Sequence, residues 1–359
     1  MPETTAFGPD ELDAYLRRIG WEGERRADAA TLRGVHLAHS RAIPFENLDP
    51  LRGTVPSLAP ADLIAKLVRG GRRGGYCYEH NMLFATVLEA LGFGVTLLTA
   101  RVVVGAQRFE DRPRTHMALL VEVAGDPRPY LADVGFGARG ALLEAVPLTA
   151  DAEFHDAGRR HRLVHAPHRG PLELWVLQAN GAHAANGVPK APEAAGVAET
   201  AGAVGAVGVA GVAGAAGVPE TAEAPETAGV AEGLETAGAA GVAETAGAAE
   251  TAGVPETAGV ADGGAWQAQY AFTLEPFERP DFEVINWHIA TNPRSPFSSR
   301  AYVQRSTPDR HLLLDGPLLT ETHADGSVKR RELTDETEAR RVLDEEFGIA
   351  VPDGTRLLP

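Results

Sequence analysis

Residues 72–81 have the sequence Arg-Arg-Gly-Gly-Tyr-Cys-Tyr-Glu-His-Asn, and the interpretation of the whole chain begins at this stretch. Its two consecutive glycines permit a sharp turn of the backbone. From Cys77 onward, apolar residues recur at the spacing of a helix until Gly92. The stretch therefore predicts a glycine turn that brings the only cysteine of the chain to the start of a helix.

A cysteine at the start of a helix is well placed to act as a nucleophile. Free backbone N–H groups and the positive end of the helix dipole stabilise a thiolate, and Arg73 adds a nearby positive charge. A lowered pKa is therefore expected for the Cys77 thiol. Most free cysteines, however, are small buried apolar residues, so the local sequence leaves both interpretations open.

A nucleophilic cysteine needs a base, and the base needs a group that orients it. His116 opens one predicted strand and Asp133 ends the next, with turn residues centred near Asp126 between them. Counting outward from this turn makes the two side chains near neighbours on adjacent strands, although not directly opposite; a bulge would bring them together. Cys77, His116 and Asp133 are therefore the candidate catalytic residues.

The sequence pattern changes along the chain. Residues 1–94 predict helices, because their apolar side chains recur at helical spacing. Residues 95–181 and 266–290 contain β-branched runs bounded by turn residues, which predict strands. Residues 291–359 predict further strands, a hairpin and a last helix. The chain is thus expected to combine a helical part with two parts that contain strands.

A low-complexity segment at 182–265 separates two of these strands. It is mostly Ala, Gly, Val, Glu, Thr and Pro and has no aromatic residue. The tetrapeptide Glu-Thr-Ala-Gly recurs in it at unequal spacing, beginning at Glu199, Glu226, Glu235, Glu244, Glu250 and Glu256. Such units bury too little apolar surface to offset backbone ordering of roughly 1–2 kcal/mol per residue. The segment predicts a disordered insertion without function, with a partner-binding or regulatory role as the alternative.

Composition narrows the function classes. The net charge of −16 argues against a nucleic-acid partner, and much of it lies in 182–264, which holds eleven acidic residues and one lysine. A single cysteine excludes an internal disulfide and a multi-cysteine metal site.

The histidines also give no sign of a metal site. Those at 36 and 39 lack an apparent third ligand, and those at 161–168 lie in a basic run, so no metal site is predicted. Without an apolar run of about 18 residues or a signal peptide, a cytoplasmic protein with no membrane partner is expected.

Several separated motifs, in a consistent order, resemble those of the arylamine N-acetyltransferases. They are residues 15–20 (YLRRIG), His39 with 43–48 (IPFENL), 73–81 (RGGYCYEHN), 115–116 (TH), 133–137 (DVGFG), 272–276 (FTLEP), 281–283 (DFE) and 292–297 (NPRSPF). The IPFENL segment and the segment around the cysteine are the most specific. The resemblance covers nearly the whole chain outside the low-complexity segment.

The resemblance implies an α+β multidomain fold. An N-terminal helical bundle would carry Cys77, a central β-barrel-like domain would carry His116 and Asp133, and a C-terminal α/β domain would act as a lid. The triad would lie between the first two domains, as in a cysteine-peptidase-like core. Arg18 and Glu46 are expected to form a buried charged pair that supports the site.

The family chemistry would move acetyl from acetyl-CoA to an arylamine or arylhydrazine by a ping-pong reaction through acetyl-Cys77. The resemblance implies that acetyl-CoA is a co-substrate, that no cofactor is permanently bound, and that the enzyme acts in xenobiotic metabolism. The candidate residues for CoA are Gly135, Gly137, Arg294 and Ser295. The candidates for the acceptor are Phe45, Val104, Thr115 and Phe136. The chain departs from the family at two positions near the coenzyme. His288 stands where a Tyr-like residue is usual, and Arg294 lies where Ser or Thr is usual. Arg294 is expected to contact a phosphate of CoA directly.

Other functions share this chemistry. Amide synthases that close macrolactams on polyketide chains keep the triad without needing CoA, and the sequence does not exclude them. A cysteine peptidase or transglutaminase-like enzyme and a non-catalytic scaffold are weaker alternatives, because the motifs around the triad are complete. The expected partners are small molecules, and the expected assembly is a monomer or a homodimer.

Overall fold

In the computed structural model, which describes residues 7–180 and 265–358, the first part of the chain is helical, as predicted. Its helices are α1 (Pro9–Ile19), α2 (Ala29–Ala42), α3 (Leu48–Leu51), α4 (Pro60–Leu63) and α5 (Cys77–Ala90). A wider helical turn, Ile64–Arg69, continues α4. The apolar spacing identified from the sequence produces the buried face of α1, which consists of Tyr15, Leu16 and Ile19.

The middle of the chain forms one antiparallel sheet. Its strands are β1 (Gly94–Val102), β2 (Arg114–Glu122), β3 (Tyr130–Ala132), β4 (Val146–Pro147), β5 (Glu153–Asp156), β6 (Arg159–Ala166), β7 (Leu174–Asn180) and β8 (Trp266–Phe272). Their spatial order is β4-β3-β2-β1-β8-β7-β6-β5. Ala150, just after β4, forms a bridge to Leu163 of β6, so the sheet curls back and nearly closes. The predicted barrel-like sheet is confirmed in this form.

The low-complexity segment, predicted as a disordered insertion at 182–265, lies outside the described residues except for Ala265. The two strands that it connects are direct neighbours. Asn180 at the end of β7 pairs with Trp266 at the start of β8. The described residues that flank the segment are therefore neighbours at one end of the β7–β8 pair.

The C-terminal part contains a second antiparallel sheet. Its strands, in the spatial order β12-β11-β10-β9, are β9 (Tyr302–Ser306), β10 (Arg310–Asp315), β11 (Leu318–His323) and β12 (Val328–Glu332). The helices of this part are α6 (Arg279–Thr291), α7 (Pro296–Ser299) and α8 (Glu336–Val342), and α8 continues into a wider turn, Leu343–Phe347. Gly326 has a φ of 85° at the tip of the β11–β12 hairpin, which only glycine adopts readily.

The three largest apolar clusters of the described residues hold these parts together. The largest joins the helices to β1 and β2, the second fills the curled sheet, and the third lies between the C-terminal sheet and α8. The described residues belong to one compact unit, and the fold is α+β, as predicted. Within residues 7–180 and 265–358, no helix has both the length and the apolar character needed to cross a membrane.

Candidate active site

The turn before α5 fixes the position of the cysteine. Cys77 is the first residue of α5, as predicted, and a carboxylate oxygen of Glu79 accepts the N–H of Tyr76 at 3.2 Å, which satisfies a donor at the helix start. A Cβ on Gly74 would lie 1.8 Å from the carbonyl oxygen of Pro44. Only glycine therefore lets the chain approach the IPFENL segment and turn directly into the helix.

A cluster of buried and partly buried charged side chains supports this turn. Arg73 donates to Glu46 at 2.7 Å and to Asp49 at 2.8 Å. Lys66 lies 2.6 Å from both Asp49 and Glu79. Arg73 was expected to add positive charge beside the thiol, but two carboxylates balance its charge. Its contribution is to hold the segment before α5 in place.

The expected pairing of Arg18 with Glu46 is wrong. The Arg18 guanidinium donates to the carbonyl oxygens of Leu67 at 3.2 Å and Ala42 at 2.9 Å. The carboxylate of Glu46 is taken by Arg73 instead. Arg18 thus joins α1 to the end of α2 and to the turn after α4, where two carbonyl groups would otherwise lack donors.

His116 and Asp133 meet as the hairpin predicts. The β2–β3 register, continued by one residue, places Asp133 opposite Ala118, two residues from His116 and on the same face of the sheet. Nε2 of His116 lies 2.7 Å from Oδ2 of Asp133, and both side chains are buried. The bulge in this region lies between β1 and β2, where Thr115 is the extra residue beside His116.

Asp133 is held by donors from three elements. Its Oδ1 accepts from the Asn81 side-chain amide and from the Gly135 N–H, both at 2.9 Å. The Asn81 amide also donates to the carbonyl oxygen of Met117 at 2.6 Å and accepts the Val134 N–H at 3.0 Å. Asn81 is therefore a central organiser of the site that the sequence analysis did not assign. Its position one helical turn after the cysteine was the signal that could have identified it.

These contacts set the charge of Asp133. Burial alone would raise the pKa of Asp133, but the charge and hydrogen bond of His116, together with the donors from Asn81 and Gly135, hold it below its ordinary value. The ionised carboxylate keeps a proton on Nε2 of His116, so Nδ1 is the nitrogen able to accept one. The rings of Phe136 and Tyr270 pack against His116 at centroid distances of 5.2 and 5.1 Å.

His36 holds the backbone of Asp133. Its Nε2 accepts the backbone N–H of Asp133 at 3.0 Å, and its Nδ1 lies 2.8 Å from the carbonyl oxygen of Leu143. Because a carbonyl only accepts, Nδ1 carries the proton and the ring is neutral; burial lowers the pKa of His36 accordingly. His39, its neighbour on α2, bonds instead to the hydroxyl of Tyr15 at 2.7 Å. No group of three potential metal ligands occurs among the described residues.

The environment of the thiol differs from the sequence expectation. Burial raises the pKa of Cys77, and the nearby charge of Asp133 raises it further, whereas the N–H groups of Met117 and Tyr78 lower it. The helix-start donors therefore act in the expected direction, but desolvation outweighs them, and the prediction of a lowered pKa is wrong. Sγ lies 4.0 Å from the carbonyl oxygen of Thr115. The thiolate needs a positive partner in order to form.

A cavity of about 430 Å³ opens onto Cys77 and His116, a size typical of small-molecule sites. The predicted CoA and acceptor residues that line it are Phe45, Val104, Thr115, Gly135, Phe136, Arg294 and Ser295. Lining residues that the sequence analysis did not assign include Arg112, Asn292, Tyr302 and Gln304. His288 of α6 lines it too. No acidic residue is among the lining residues of the described chain.

Two predicted site residues lie outside this lining: the catalytic candidate Asp133, which lies behind His116, and Gly137, which was predicted to contact CoA. The φ of Gly137 is 68°, and a Cβ there would lie 2.9 Å from the ring of Phe45. Gly135 lies closer to the chemistry, because a Cβ on it would lie 2.7 Å from the carbonyl oxygen of Cys77. Both positions thus require glycine for close packing of the 133–137 segment.

Comparison with known proteins places this arrangement in a family. A family model described as N-acetyltransferase matches residues 28–187 and 248–356. An arylamine N-acetyltransferase from Mycolicibacterium smegmatis is 31% identical over 96% of this chain and 93% of its own length. The chain belongs to the arylamine N-acetyltransferase family. The gap in the family match, 188–247, falls inside the low-complexity segment.

Solved arylamine N-acetyltransferases share the fold. The structure from Nocardia farcinica superposes with a TM-score of 0.68 at 34% identity, and it covers 98% of this chain and 95% of its own. The Mycobacterium marinum enzyme in complex with CoA gives a TM-score of 0.66 at 27% identity, with 95% and 93% covered. The family therefore includes a relative with CoA bound on the same fold.

Proposed function

We propose that this chain transfers acetyl from acetyl-CoA to an arylamine or arylhydrazine through an acetyl-thioester on Cys77. The proposal rests on one observation above all. Cys77 and His116 line a single cavity, and Asp133 holds the far nitrogen of His116 at 2.7 Å. Membership of the arylamine N-acetyltransferase family supplies the reaction to which this arrangement is suited, and it favours acetyl transfer over macrolactam synthesis.

The first half-reaction acetylates the enzyme. Nδ1 of His116 takes the proton of the Cys77 thiol, and the resulting imidazolium supplies the positive partner that a buried thiolate needs. The sulfur attacks the thioester carbonyl, and backbone N–H groups at the start of α5 stabilise the oxyanion. The C–S bond to CoA breaks, and His116 returns the proton to the departing CoA thiolate. An acetyl group remains on Cys77.

The second half-reaction regenerates the thiol. The neutral amine attacks the acetyl-thioester, and His116 accepts the proton that the nitrogen loses. The C–S bond to Cys77 breaks, the amide leaves, and the thiolate is again paired with the imidazolium. Asp133 stays ionised throughout and stabilises that cation, because its pKa is held below its ordinary value.

The cavity offers two sets of contacts for the two substrates. Gly135, Arg294 and Ser295 are proposed to contact CoA, and the exposed Arg294 suits a phosphate. A set of apolar and small side chains is proposed to contact the acceptor: Phe45, Val104, Thr115 and Phe136. Gly137 is proposed to contribute indirectly, because the absence of a side chain lets the 133–137 segment pack against Phe45.

The proposal also includes the domain division, the location and the assembly state that the sequence predicts. We keep the division into a helical domain (1–94), a barrel domain (95–181 with 266–290) and a lid (291–359). A cytoplasmic monomer or homodimer with no permanently bound cofactor also remains a prediction. Solution scattering and fractionation would measure these properties.

Initial-rate kinetics test the proposed reaction. With acetyl-CoA and a simple aniline or hydrazine varied together, double-reciprocal plots should be parallel, because CoA leaves before the amine reacts. Cys77→Ala should abolish CoA release. Intersecting lines with an active Cys77→Ala variant would overturn the mechanism, and an intact reactive thiol without any transfer would favour an amide synthase.

A further inference from the structure

Asn47, in the IPFENL segment, directs its side chain away from its own helix. It is the N-cap residue of α3, a position where the side chain of an asparagine usually accepts an N–H of the helix that it begins. Within the described chain Asn47 makes no such bond, and Glu46 accepts the first N–H of α3, that of Leu48, at 2.6 Å. The Asn47 side chain is fully buried, so its polar groups need partners elsewhere.

Three hydrogen bonds join Asn47 to the C-terminal part of the chain. Its Nδ2 donates to the carbonyl oxygens of Phe297 at 2.8 Å and Arg300 at 2.7 Å. Its Oδ1 accepts the backbone N–H of Tyr302 at 2.7 Å. Because carbonyl oxygens only accept and an N–H only donates, these partners fix the orientation of the Asn47 amide and use both of its donors.

The segment that Asn47 holds, residues 292–302, forms one wall of the cavity at Cys77. The residues of this segment that line the cavity are Asn292, Arg294, Ser295, Pro296, Phe297 and Tyr302. The carbonyl oxygen of Asn292 accepts the Ser295 N–H and the Ser298 hydroxyl, both at 2.8 Å, so the start of the segment is bonded into one turn. Asn47 is not among the lining residues, and it therefore acts on the cavity through this segment.

The IPFENL segment is also bonded to the turn that positions the thiol. The N–H of Glu46 donates to the carbonyl oxygen of Gly75, just before α5, at 2.8 Å. The N–H and carbonyl groups of Phe45 bond to those of Gln304 in β9, each at 2.9 Å. The segment thus lies between the helix that begins at Cys77 and the C-terminal part of the chain. A side chain at this position can set the distance between the two.

On the basis of the proposed acetyl transfer, we propose that Asn47 is a positioning residue for acetyl-CoA. It holds residues 292–302, which include the proposed CoA contacts Arg294 and Ser295, at the distance from Cys77 that brings the thioester to the thiol. Without its side chain, two carbonyl oxygens and one N–H of this wall lose their partners, and the wall would shift. A misplacement of about 1 Å can lower a rate about 100-fold. The catalytic candidates themselves lie on α5 and on the central sheet, so their chemistry should persist.

Two acetyl donors of different size test this role in the full-length protein. 4-Nitrophenyl acetate carries the same acetyl group without pantetheine or phosphates, so it can acetylate Cys77 without contacts to residues 292–302. Asn47→Asp keeps the acceptor for the Tyr302 N–H but sets a carboxylate oxygen against two carbonyl oxygens. We expect kcat/KM for acetyl-CoA to fall about 10- to 100-fold, while nitrophenol release stays within about threefold of the parent rate. Calorimetry should show the Kd of CoA rising about tenfold. Equal losses with both acetyl donors, or no loss with either, would overturn the proposal.

Two further variants separate positioning from general loss of stability. Ser298→Ala removes the hydroxyl that bonds to Asn292 at 2.8 Å, a milder change at a partly buried residue, and should lower the acetyl-CoA to nitrophenyl acetate rate ratio several-fold. Asp335→Ala removes the N-cap of α8, which accepts the Glu338 N–H at 2.9 Å outside the cavity lining. It should lower the unfolding midpoint and leave the ratio unchanged.

The outcomes of this test are distinct from those for the proposed function. A ratio that falls equally in Asp335→Ala would attribute the effect to instability of the C-terminal part and contradict the positioning role. A parent protein that releases neither CoA nor nitrophenol would refute the proposed acetyl transfer itself. A parent that transfers acetyl normally, with an unchanged ratio in Asn47→Asp and Ser298→Ala, would refute only the role of Asn47.

Discussion

Replacing Asp133 by asparagine tests how the proposed base is oriented. Oδ1 of Asp133 faces two donors, the Asn81 amide and the Gly135 N–H, whereas Oδ2 faces only Nε2 of His116. An asparagine keeps both donors satisfied only with its oxygen at the Oδ1 position, which turns its NH₂ toward His116. Nε2 must then accept a hydrogen bond, and the proton moves to Nδ1. That is the nitrogen that has to take the proton of Cys77.

The expected loss is large because neither orientation of the asparagine is satisfactory. The reverse orientation would set its NH₂ against two donors, at roughly 1–3 kcal/mol for each unsatisfied group. The first orientation fixes the wrong histidine tautomer, and the equivalent change in a serine protease lowers kcat about 10⁴-fold. We expect Asp133→Asn to lower the rate of enzyme acetylation about 10³- to 10⁴-fold, with little change in the KM for acetyl-CoA.

Stopped-flow measurement of CoA release from acetyl-CoA, without an amine, reports this step. Asp156→Asn is the matched control, because Asp156 is fully buried and pairs with His161 at 2.8 Å outside the Cys77 cavity. That variant should lose stability and keep an acetylation rate within a few-fold of the parent. A folded Asp133→Asn variant that retains more than about a tenth of the rate would refute the tautomer argument.

Three further predictions concern stability and the insertion. His36→Ala leaves the Asp133 N–H without an acceptor, so urea denaturation should show a loss of about 1–3 kcal/mol, which His36→Gln partly restores. Burial lowers the pKa of His80 from 6.5 to about 4, so between these pH values the unfolded chain takes up a proton that the native state does not. His80 should therefore contribute about 3 kcal/mol to the fall in the free energy of unfolding as the pH drops through this window. His80→Gln should remove that contribution, whereas the buried His36 and His39, whose pKa values burial also lowers, keep theirs. Replacing 182–264 with a short turn should leave kcat unchanged, because Asn180 and Trp266 are already paired; an unfolded product would contradict the insertion hypothesis.

Local signals in the sequence were sufficient for the main elements of the site. Two glycines and a helical apolar spacing predicted that α5 begins at Cys77, as it does. The turn near Asp126 predicted that His116 and Asp133 are neighbours, and they are 2.7 Å apart. Each of these features depends on residues close together in the chain, where backbone geometry leaves few alternatives.

The features that the sequence did not reveal depend on tertiary packing. The motif that contains Arg18 gives no indication of its partner, and the pairing assigned to it was wrong. The pKa of Cys77 depends on how completely the fold buries the sulfur, and burial outweighs the helix start. His36 reaches the N–H of Asp133 across 97 positions of sequence, so no local pattern identifies it. Asn81 was visible as part of a motif, but its bond to Asp133 requires the folded sheet.

Trapping the acetylated enzyme tests the central claim most directly. The protein is mixed with acetyl-CoA in the absence of an amine, digested, and examined by mass spectrometry. The account predicts one acetyl group on the peptide that contains Cys77, none in Cys77→Ala, and loss of the group when an arylamine is added, at a rate that supports turnover. An unmodified Cys77 during continuing acetyl transfer, or an acetyl group carried by another residue, would contradict it.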